Sequence, residues 1–224
     1  MKAVAIILAA GEARRMAHPK ALIEHEGGRS FLQSLASTFG KAGCAVLGVI
    51  GKDAEAVREQ HPSLMLVESP RWQEGPMASI KAGVTAALEE GADVVLIHPV
   101  DMPAVRASTL KSLLKATGDS DEGLRPEFEG APGYPVVLPR AAAERLLENG
   151  ATLLDAALQG MKLRRVAVKD PGVLVNINTP ETYERLFGTP PRLAPPPKRR
   201  GKKGTPATMP MSPSGMEFSA SPEE

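Results

Sequence analysis

Three segments of the sequence carry charged or amide side chains that could bind an anion or a metal ion. Arg14, Arg15 and Lys20 follow the apolar run 4–8, Asp101 follows the run 94–98, and Asn178 precedes the segment Thr-Pro-Glu. Cationic side chains recognise phosphate groups, whereas carboxylate and amide oxygens bind hard divalent cations. These residue types therefore predict the binding of an anionic ligand, most simply a polyphosphate, beside an ion such as Mg²⁺.

The basic segment 9–20 does not follow either common phosphate-binding pattern. Its only glycine is Gly11, so the dinucleotide fingerprint G-x-G-x-x-G is absent, and the P-loop pattern G-x-x-x-x-G-K-[ST] is absent too. Small residues at the end of a strand still allow a ligand to approach the backbone closely. A phosphate-binding loop and a solvated charged loop are equally supported by the residues alone.

Each oxygen-bearing residue also has a purely structural interpretation. Asp101 is placed equally well to bind Mg²⁺ or to cap the turn that follows it. Asn178 offers an amide oxygen to the same ion, but its position is explained more simply by the helix that starts at Thr179. For His98 a structural role is favoured, because phosphate-bound Mg²⁺ rarely uses imidazole.

The segment 69–81 predicts a loop that leads into a helix. Gly75 ends the loop and Pro76 suits the first helical position. The amino end of such a helix presents N–H groups to an anion or to the edge of a base. For Trp72, the only tryptophan, a role in the core or at a hinge is favoured over a stacking platform.

Alternating strands and helices are predicted to position these segments. Apolar runs typical of strands cover 4–8, 45–50, 64–67 and 94–98, and helical patterns cover 30–41, 54–60, 76–90 and 107–116. This alternation indicates βαβ units and a parallel sheet covered on both faces. Ligands of such sheets bind at the carboxyl ends of the strands, where the polar segments lie.

The pattern changes after Gly118. The segment 118–134 is predicted to be a loop or a pair of strands, and short strands are predicted at 134–138, 163–168 and 173–175. Helices are predicted at 141–148, at 153–158 and from Thr179, where Thr is the N-cap and Pro the first helical residue. The fold class is therefore α/β, with three Rossmann-like α/β/α layers around a mostly parallel sheet.

Composition excludes several classes of protein. Among 224 residues the formal net charge is +1, so a globally basic nucleic-acid-binding protein is not indicated, and the single Cys44 excludes an internal disulfide framework. There is no apolar run long enough to span a membrane. The opening run predicts a buried strand rather than a signal peptide, and the cytoplasm is the expected location.

Residues 189–224 are rich in proline and in basic residues. They are predicted to form a disordered tail after a folded domain of residues 1–188.

Taken in order, these segments resemble the molybdenum cofactor nucleotidyltransferases, which belong to the MobA-like NTP transferases with a glycosyltransferase-A-like fold. The family opening L-A-A-G-x-S-x-R-M-G followed by P-K is similar to 8–20, and its strand-end D-x-P is similar to 101–103. The loop and helix start N-P-x-W-x-x-G-P resembles 69–79, the cytidylyl-type G-H-P-V resembles 133–136, and the closing N-x-N-T-P-E matches 176–181. The resemblance covers about residues 3 to 188.

The resemblance implies a role for each matching position. Arg15 and Lys20 would hold the triphosphate, Asp101 would bind Mg²⁺, and Asn178 stands where some relatives place a second metal ligand. The nucleotide would meet the backbone and pocket residues Leu8, Ala9, Ala10, Gly11, Gly75 and Ser79. The implied reaction is transfer of a nucleotidyl group, with CMP favoured over GMP, from an NTP to molybdopterin with release of pyrophosphate. A molybdenum enzyme is the implied recipient of the product, and neither a membrane nor a specific nucleic acid is an expected partner.

Departures from the family pattern keep two alternatives open. Ala13 and Ala17 replace the usual Ser and Gly, Ser69 replaces Asn or Asp, and Tyr134 replaces the cytidylyl-type His. One alternative is a nucleotidyltransferase for a sugar- or alcohol-phosphate. The other is a nucleotide-binding chaperone or regulator without catalytic activity.

Overall fold

The computed structural model describes residues 1–118 and 120–196. Within these ranges the strands are β1 (Ala3–Ala9), β2 (Ala45–Ile50), β3 (Met65–Glu68), β4 (Val94–Pro99), β5 (Gly123–Phe128), β6 (Ala131–Pro132), β7 (Val136–Pro139) and β8 (Leu163–Ala167). The α-helices are α1 (Phe31–Lys41), α2 (Ala54–Gln60), α3 (Pro76–Glu89), α4 (Ala107–Thr117), α5 (Arg140–Glu148), α6 (Leu154–Gln159) and α7 (Pro180–Phe187). The predicted α/β class is confirmed.

One mixed sheet runs through the molecule in the order β3-β2-β1-β4-β7-β5-β6, and β8 pairs with β5. The pairs β1–β2, β2–β3, β1–β4 and β5–β8 are parallel. The chain passes from β1 to β2 on one side and later returns to place β4 on the other side of β1. The strand order therefore reverses at β1, which creates a crevice at the carboxyl ends of β1 and β4.

Two apolar layers enclose the sheet. Phe31, Phe39 and Leu110, from α1 and α4, pack against one face of the sheet. Ile80, Val84 and Ala142, from α3 and α5, pack against the other face. Because apolar residues cover both faces, the central strands are apolar throughout rather than alternating, as in β1, whose sequence is AVAIILA.

Local signals set most helix ends. At α1, Ser30 accepts a hydrogen bond from the Gln33 N–H at 3.1 Å, and Gln33 accepts one in return from the Ser30 N–H at 3.3 Å. At α7, the Thr179 hydroxyl accepts from the Thr182 N–H at 3.3 Å, and Pro180 is the first helical residue. The predicted starts of both helices are confirmed.

The predicted strand at 173–175 is wrong. Residues Pro171–Val173 form a 3₁₀ turn, in which the Asp170 carboxylate accepts from the Gly172 N–H at 3.0 Å. The same carboxylate accepts from the Arg106 N–H at 2.9 Å and from the Thr109 hydroxyl at 2.7 Å. This contact to α4 fixes the turn, so tertiary structure overrides the β propensity of the run Val-Leu-Val.

The chain after α7 turns back onto the body. The Ala194 N–H donates to the Leu22 carbonyl and the Glu24 N–H donates to the Arg192 carbonyl, both at 2.8 Å. Arg192 and Ala194, which belong to the predicted tail 189–224, thus contact the folded domain. Residues 197–224, including the basic cluster 198–203, lie outside the described residues. None of the helices within the described ranges has the length and apolar content needed to cross a membrane.

Candidate nucleotide and metal site

Three side chains from distant parts of the sequence meet at the carboxyl ends of β1 and β4. Lys20 Nζ donates to Asp101 Oδ2 at 2.6 Å and also to Asn178 Oδ1. The side chains of Lys20 and Asp101 are only 22% and 14% exposed. The structure therefore brings the basic segment and the strand-end acid together in one crevice, and it adds Asn178 to them.

Backbone and buried contacts hold Asp101 and Asn178 in place. His98, at the end of β4, is fully buried, and its Nε2 pairs with the Met102 carbonyl oxygen at 2.8 Å. The Ile177 N–H donates to the Asp101 carbonyl at 2.8 Å, which ties the segment before Asn178 to the turn after β4. We call Asp101, Asn178 and the two turns that carry them the acid side of the crevice.

Burial also sets the protonation state of His98. Removal from water disfavours the imidazolium and lowers the pKa of His98 to about 4, because the contacts to Met102 and Asp101 offset only part of that effect. His98 is therefore neutral at neutral pH and donates through Nε2 to the carbonyl. This contact is the structural role that the sequence favours for His98.

The opposite wall is formed by residues 9–20, which we call the cationic loop. Lys20 opens a 3₁₀ turn, Lys20–Leu22, in which the Leu22 N–H donates to the Pro19 carbonyl at 2.9 Å. The turn is supported from outside by Ala194, as described above. Arg15 lies on the same loop, and its side chain is exposed to solvent.

An acid within the cationic loop escaped the sequence analysis. Glu12 is paired with Lys52 and, at 3.0 Å, with Arg14. The hydrogen bond from Lys52 is the main cause that holds the pKa of Glu12 below its ordinary value, and the contact with Arg14 adds to it. Glu12 thus occupies Arg14, which lines the larger of the two cavities described below. Lys20 is the cation of the cationic loop that contacts the acid side, whereas the exposed Arg15 lines neither cavity.

Two adjoining cavities run along the end of β1. A cavity of about 330 Å³ is lined by Leu8, Ala10, Gly11, Trp72, Gly75 and Ser79, among others. A smaller one, of about 110 Å³, is lined by Leu8, Ala9, Gly11, Lys20 and Asp101, among others. The predicted nucleotide-contacting residues thus line one continuous strip from the larger cavity to Asp101.

Close packing shapes the larger cavity. A Cβ atom on Gly51 would lie 2.6 Å from the Ala10 carbonyl oxygen and 2.8 Å from Trp72 Cγ, so only glycine fits behind this wall. Gly75 has φ 114°, a left-handed conformation that favours glycine, and it directly precedes α3. Trp72 is half-buried: it packs against the apolar layer formed by α3 and α5, the role favoured from the sequence, and it also lines the cavity.

Ser79 contributes to the wall through a buried contact. Its hydroxyl donates to the hydroxyl of Ser69 at 3.1 Å, and both residues are buried. Ser69 follows β3 and Ser79 lies in the first turn of α3. The pair therefore fixes the loop 69–75 against α3, so that Trp72 and Gly75 face Gly11 across the cavity.

The oxygens of the acid side fit a bound cation. Asp101 Oδ2 and Asn178 Oδ1 both face one positive charge, the Lys20 ammonium, and Asp101 Oδ1 is buried without a hydrogen-bond partner within the described residues. Among the hydrogen bonds of the described residues, none runs from a backbone N–H to the Asp101 carboxylate, so the interpretation as a turn cap is wrong. No cluster of three His, Cys, Asp or Glu side chains suited to a metal occurs in the described ranges, so any ion here would depend on one carboxylate, one amide and its substrate.

Comparison with known proteins agrees with this fold. A family model described as "MobA-like NTP transferase domain" matches residues 5–168. A Mycobacterium marinum protein named "Probable molybdenum cofactor guanylyltransferase" is 26% identical over 186 residues, which cover 78% of this chain and 88% of that protein.

Solved structures give the same picture. The crystal structure of Rv0371c from Mycobacterium tuberculosis H37Rv superposes with a TM-score of 0.71 at 22% identity, covering 84% of this chain and 100% of that chain. A manganese complex of Rv0371c superposes with a TM-score of 0.67 at 21% identity and the same coverage. The family model spans well over half of the chain, and its match extends from β1 through β4 to the end of β8. This chain therefore belongs to the MobA-like NTP transferase family and is a nucleotidyltransferase.

Proposed function

We propose that this nucleotidyltransferase moves GMP from GTP to molybdopterin and releases pyrophosphate. The observation that carries the proposal is the meeting of Lys20, Asp101 and Asn178 beside the cavity strip lined by Leu8–Gly11 and Gly75. A triphosphate needs cations along its phosphates and oxygen ligands for a hard ion next to them, and the approach of a lysine to a carboxylate and an amide oxygen at one end of the sheet supports this use of the site. A purely nucleotide-binding regulator is set aside by the family assignment.

The reaction needs no nucleophile from the protein. An oxygen of the acceptor phosphate forms a bond to the α-phosphorus of the NTP, the bond from that phosphorus to the bridging oxygen breaks, and pyrophosphate leaves. In this proposal Lys20 and Arg15 bind the β- and γ-phosphates and stabilise the charge that develops on the leaving group. The wall formed by Leu8–Gly11 and Gly75 orients the nucleoside, so the chain acts by positioning and charge neutralisation.

We assign the divalent ion to Asp101 and Asn178, with Mg²⁺ as the physiological ion. When bound there, such an ion offsets negative charge on the phosphates. The unpartnered Oδ1 of Asp101 supports this assignment, as does the pair of oxygens that face Lys20.

The proposed base is guanine, which departs from the CMP predicted from the sequence. The Mycobacterium marinum relative is named for a guanylyl group, and Tyr134 stands where the cytidylyl-type segment has His. Both observations favour GMP. Molybdopterin as acceptor comes from the same relative's name, and a molybdenum enzyme as recipient of the product stays a prediction.

The test is a matrix of nucleotides and acceptors scored by pyrophosphate release in the presence of Mg²⁺. We expect turnover with GTP and molybdopterin that exceeds turnover with CTP, ATP or UTP. The same assay is run on Asp101→Asn, which removes the carboxylate of the proposed ion site. Asp121→Asn, which removes an exposed carboxylate elsewhere in the chain, is its matched control. Turnover only with sugar- or alcohol-phosphates would replace the proposed acceptor, a preference for CTP would restore the base predicted from the sequence, and failure of every NTP to bind would overturn the proposal.

A further inference from the structure

Lys20 occupies the place between the two oxygens that face the proposed ion. Its ammonium contacts Asp101 Oδ2 at 2.6 Å and also binds Asn178 Oδ1, so one positive charge satisfies both oxygens at once. Within the described residues these are the hydrogen bonds of the Lys20 side chain, and no other Lys or Arg contacts the Asp101 carboxylate. In this structure the Lys20 ammonium is the cation that the acid side binds.

A second cation bound to Asp101 Oδ2 and Asn178 Oδ1 would compete with the ammonium for the same two oxygens. The Lys20 and Asp101 side chains are mostly buried, so water screens the repulsion between neighbouring positive charges only weakly. A divalent ion that bound Asp101 Oδ2 and Asn178 Oδ1 would have to displace the ammonium. Displacement is unfavourable when the ammonium gains no other anion in exchange. Of the other carboxylates that line the smaller cavity, Glu12 already holds Lys52 and Arg14, and Asp53 forms no ion pair with Lys20 within the described residues.

A nucleotide changes this balance. Its triphosphate offers the displaced ammonium several anionic oxygens next to the crevice, in the strip that Lys20 itself lines. Lys20 can then exchange the oxygens of Asp101 and Asn178 for phosphate oxygens without losing its ion pairing. The cost of admitting the divalent ion is thus offset only in the presence of the triphosphate.

We propose that Lys20 is an exchangeable counterion that keeps the metal site closed until a triphosphate arrives. Metal alone then binds weakly, whereas metal and nucleotide bind with positive coupling that is reciprocal between them. This inference rests on the proposed function, because it takes the site to hold a divalent ion and an NTP. It adds an order to their binding: the free ion does not fill the site ahead of the nucleotide.

The experiment measures Mn²⁺ binding from the electron paramagnetic resonance signal of free Mn²⁺. The titrations use the wild-type chain and the variants Lys20→Met, Lys20→Gln and Lys20→Arg, each without nucleotide and with an α,β-methylene GTP analogue that cannot react. The matched control is Lys52→Met, which removes an equal charge near the same loop but from the Glu12 pair. Asp101→Asn combined with Lys20→Met checks that Mn²⁺ occupies the acid side.

Removal of the ammonium is expected to tighten the binding of Mn²⁺ alone at least tenfold in Lys20→Met and Lys20→Gln. The same variants should lose most of the enhancement of Mn²⁺ binding by the analogue, whereas Lys20→Arg and Lys52→Met should resemble the wild type. Added Mn²⁺ should also raise the Tm of Lys20→Met by more than that of the wild type, a readout that does not depend on activity. The double variant should bind no Mn²⁺ at this site.

The inference is overturned if Lys20→Met binds Mn²⁺ no more tightly than the wild type, or if Lys52→Met tightens it as much. Equally tight binding of Mn²⁺ to the wild type with and without the analogue would overturn it as well. Failure of the proposed function looks different, because no nucleotide would then bind to any variant. Normal nucleotide binding and turnover in the wild type with unchanged Mn²⁺ affinity in Lys20→Met would remove this inference alone.

Discussion

The two walls of the crevice are built in different ways. The acid side rests on the end of a buried strand, on the imidazole of His98 and on the backbone bond between Ile177 and Asp101. The cationic loop instead carries exposed arginines and a lysine whose ammonium depends on the opposite wall for its partners. The acid side thus has its geometry fixed before a ligand binds, while the cationic loop gains its partners from the ligand. Substitutions on the acid side should therefore reduce turnover steeply, and those on the cationic loop should act on nucleotide affinity in graded steps.

Loss of the carboxylate charge should produce the largest effect. Asp101→Asn keeps the shape of the side chain but removes the charge that faces the cation, so we expect kcat to fall by about a hundred- to a thousandfold. Circular dichroism should show the fold retained, and Asp121→Asn should leave pyrophosphate release unchanged. Near-normal kcat in Asp101→Asn would show that the acid side is not the fixed half of the site.

Low pH should reduce the stability of the fold through His98, which supports the acid side from the end of β4. The unfolded chain binds a proton at His98 near the ordinary pKa of 6.5, whereas the folded pKa is about 4, so the unfolded state takes up more protons between these values. Stability from this group is present above about pH 6.5 and is lost as pH falls toward 4, by up to about 3 kcal/mol. Urea unfolding of the wild type and of His98→Gln at pH 7 and pH 4.5 should show a smaller pH dependence in the variant. An equal dependence in both proteins would contradict the assignment.

Gly51, which packs behind Ala10 of the cationic loop, should tolerate no added methyl group. In Gly51→Ala the new Cβ would press on the Ala10 carbonyl and on Trp72, so we expect a loss of about 1–3 kcal/mol of stability together with weaker nucleotide binding. Gly40→Ala is the matched control, since Gly40 lies in α1 and a Cβ there meets no atom within 4 Å. Thermal unfolding and nucleotide titration should separate the two variants, and equal stabilities would argue against the close packing.

The smallest effect is expected on the exposed part of the cationic loop. Arg15→Ala should raise the KM for the NTP by about tenfold with little change in kcat, because an exposed cation acts mainly on ground-state binding and is screened by salt. The difference from wild type should shrink as the salt concentration rises. Arg29→Ala, at another exposed arginine, is the control, and an unchanged KM in Arg15→Ala would remove that residue from the site.

The sequence predicted the meeting of Lys20 and Asp101 for a physical reason. Both follow strands whose carboxyl ends share one edge of a parallel sheet, so strand assignment alone brings them close. The partners of Glu12, Arg14 and Lys52, could not be predicted, because the pairing of long exposed side chains depends on loop geometry rather than on spacing. Asn178 could be assigned only as a minority interpretation, since its approach to Lys20 depends on the backbone bond between Ile177 and Asp101.

The return of the chain after α7 has a practical consequence for protein engineering. The family match ends at residue 168, yet Asn178 supplies one of the two oxygens on Lys20, and Ala194 supports the 3₁₀ turn that begins at this lysine. A shortened enzyme designed on these boundaries would retain the cationic loop and Asp101 but would lose Asn178 and the Ala194 contact that supports the Lys20–Leu22 turn. Minimal versions of this enzyme should therefore be cut beyond Pro196 rather than at the edge of the shared segment.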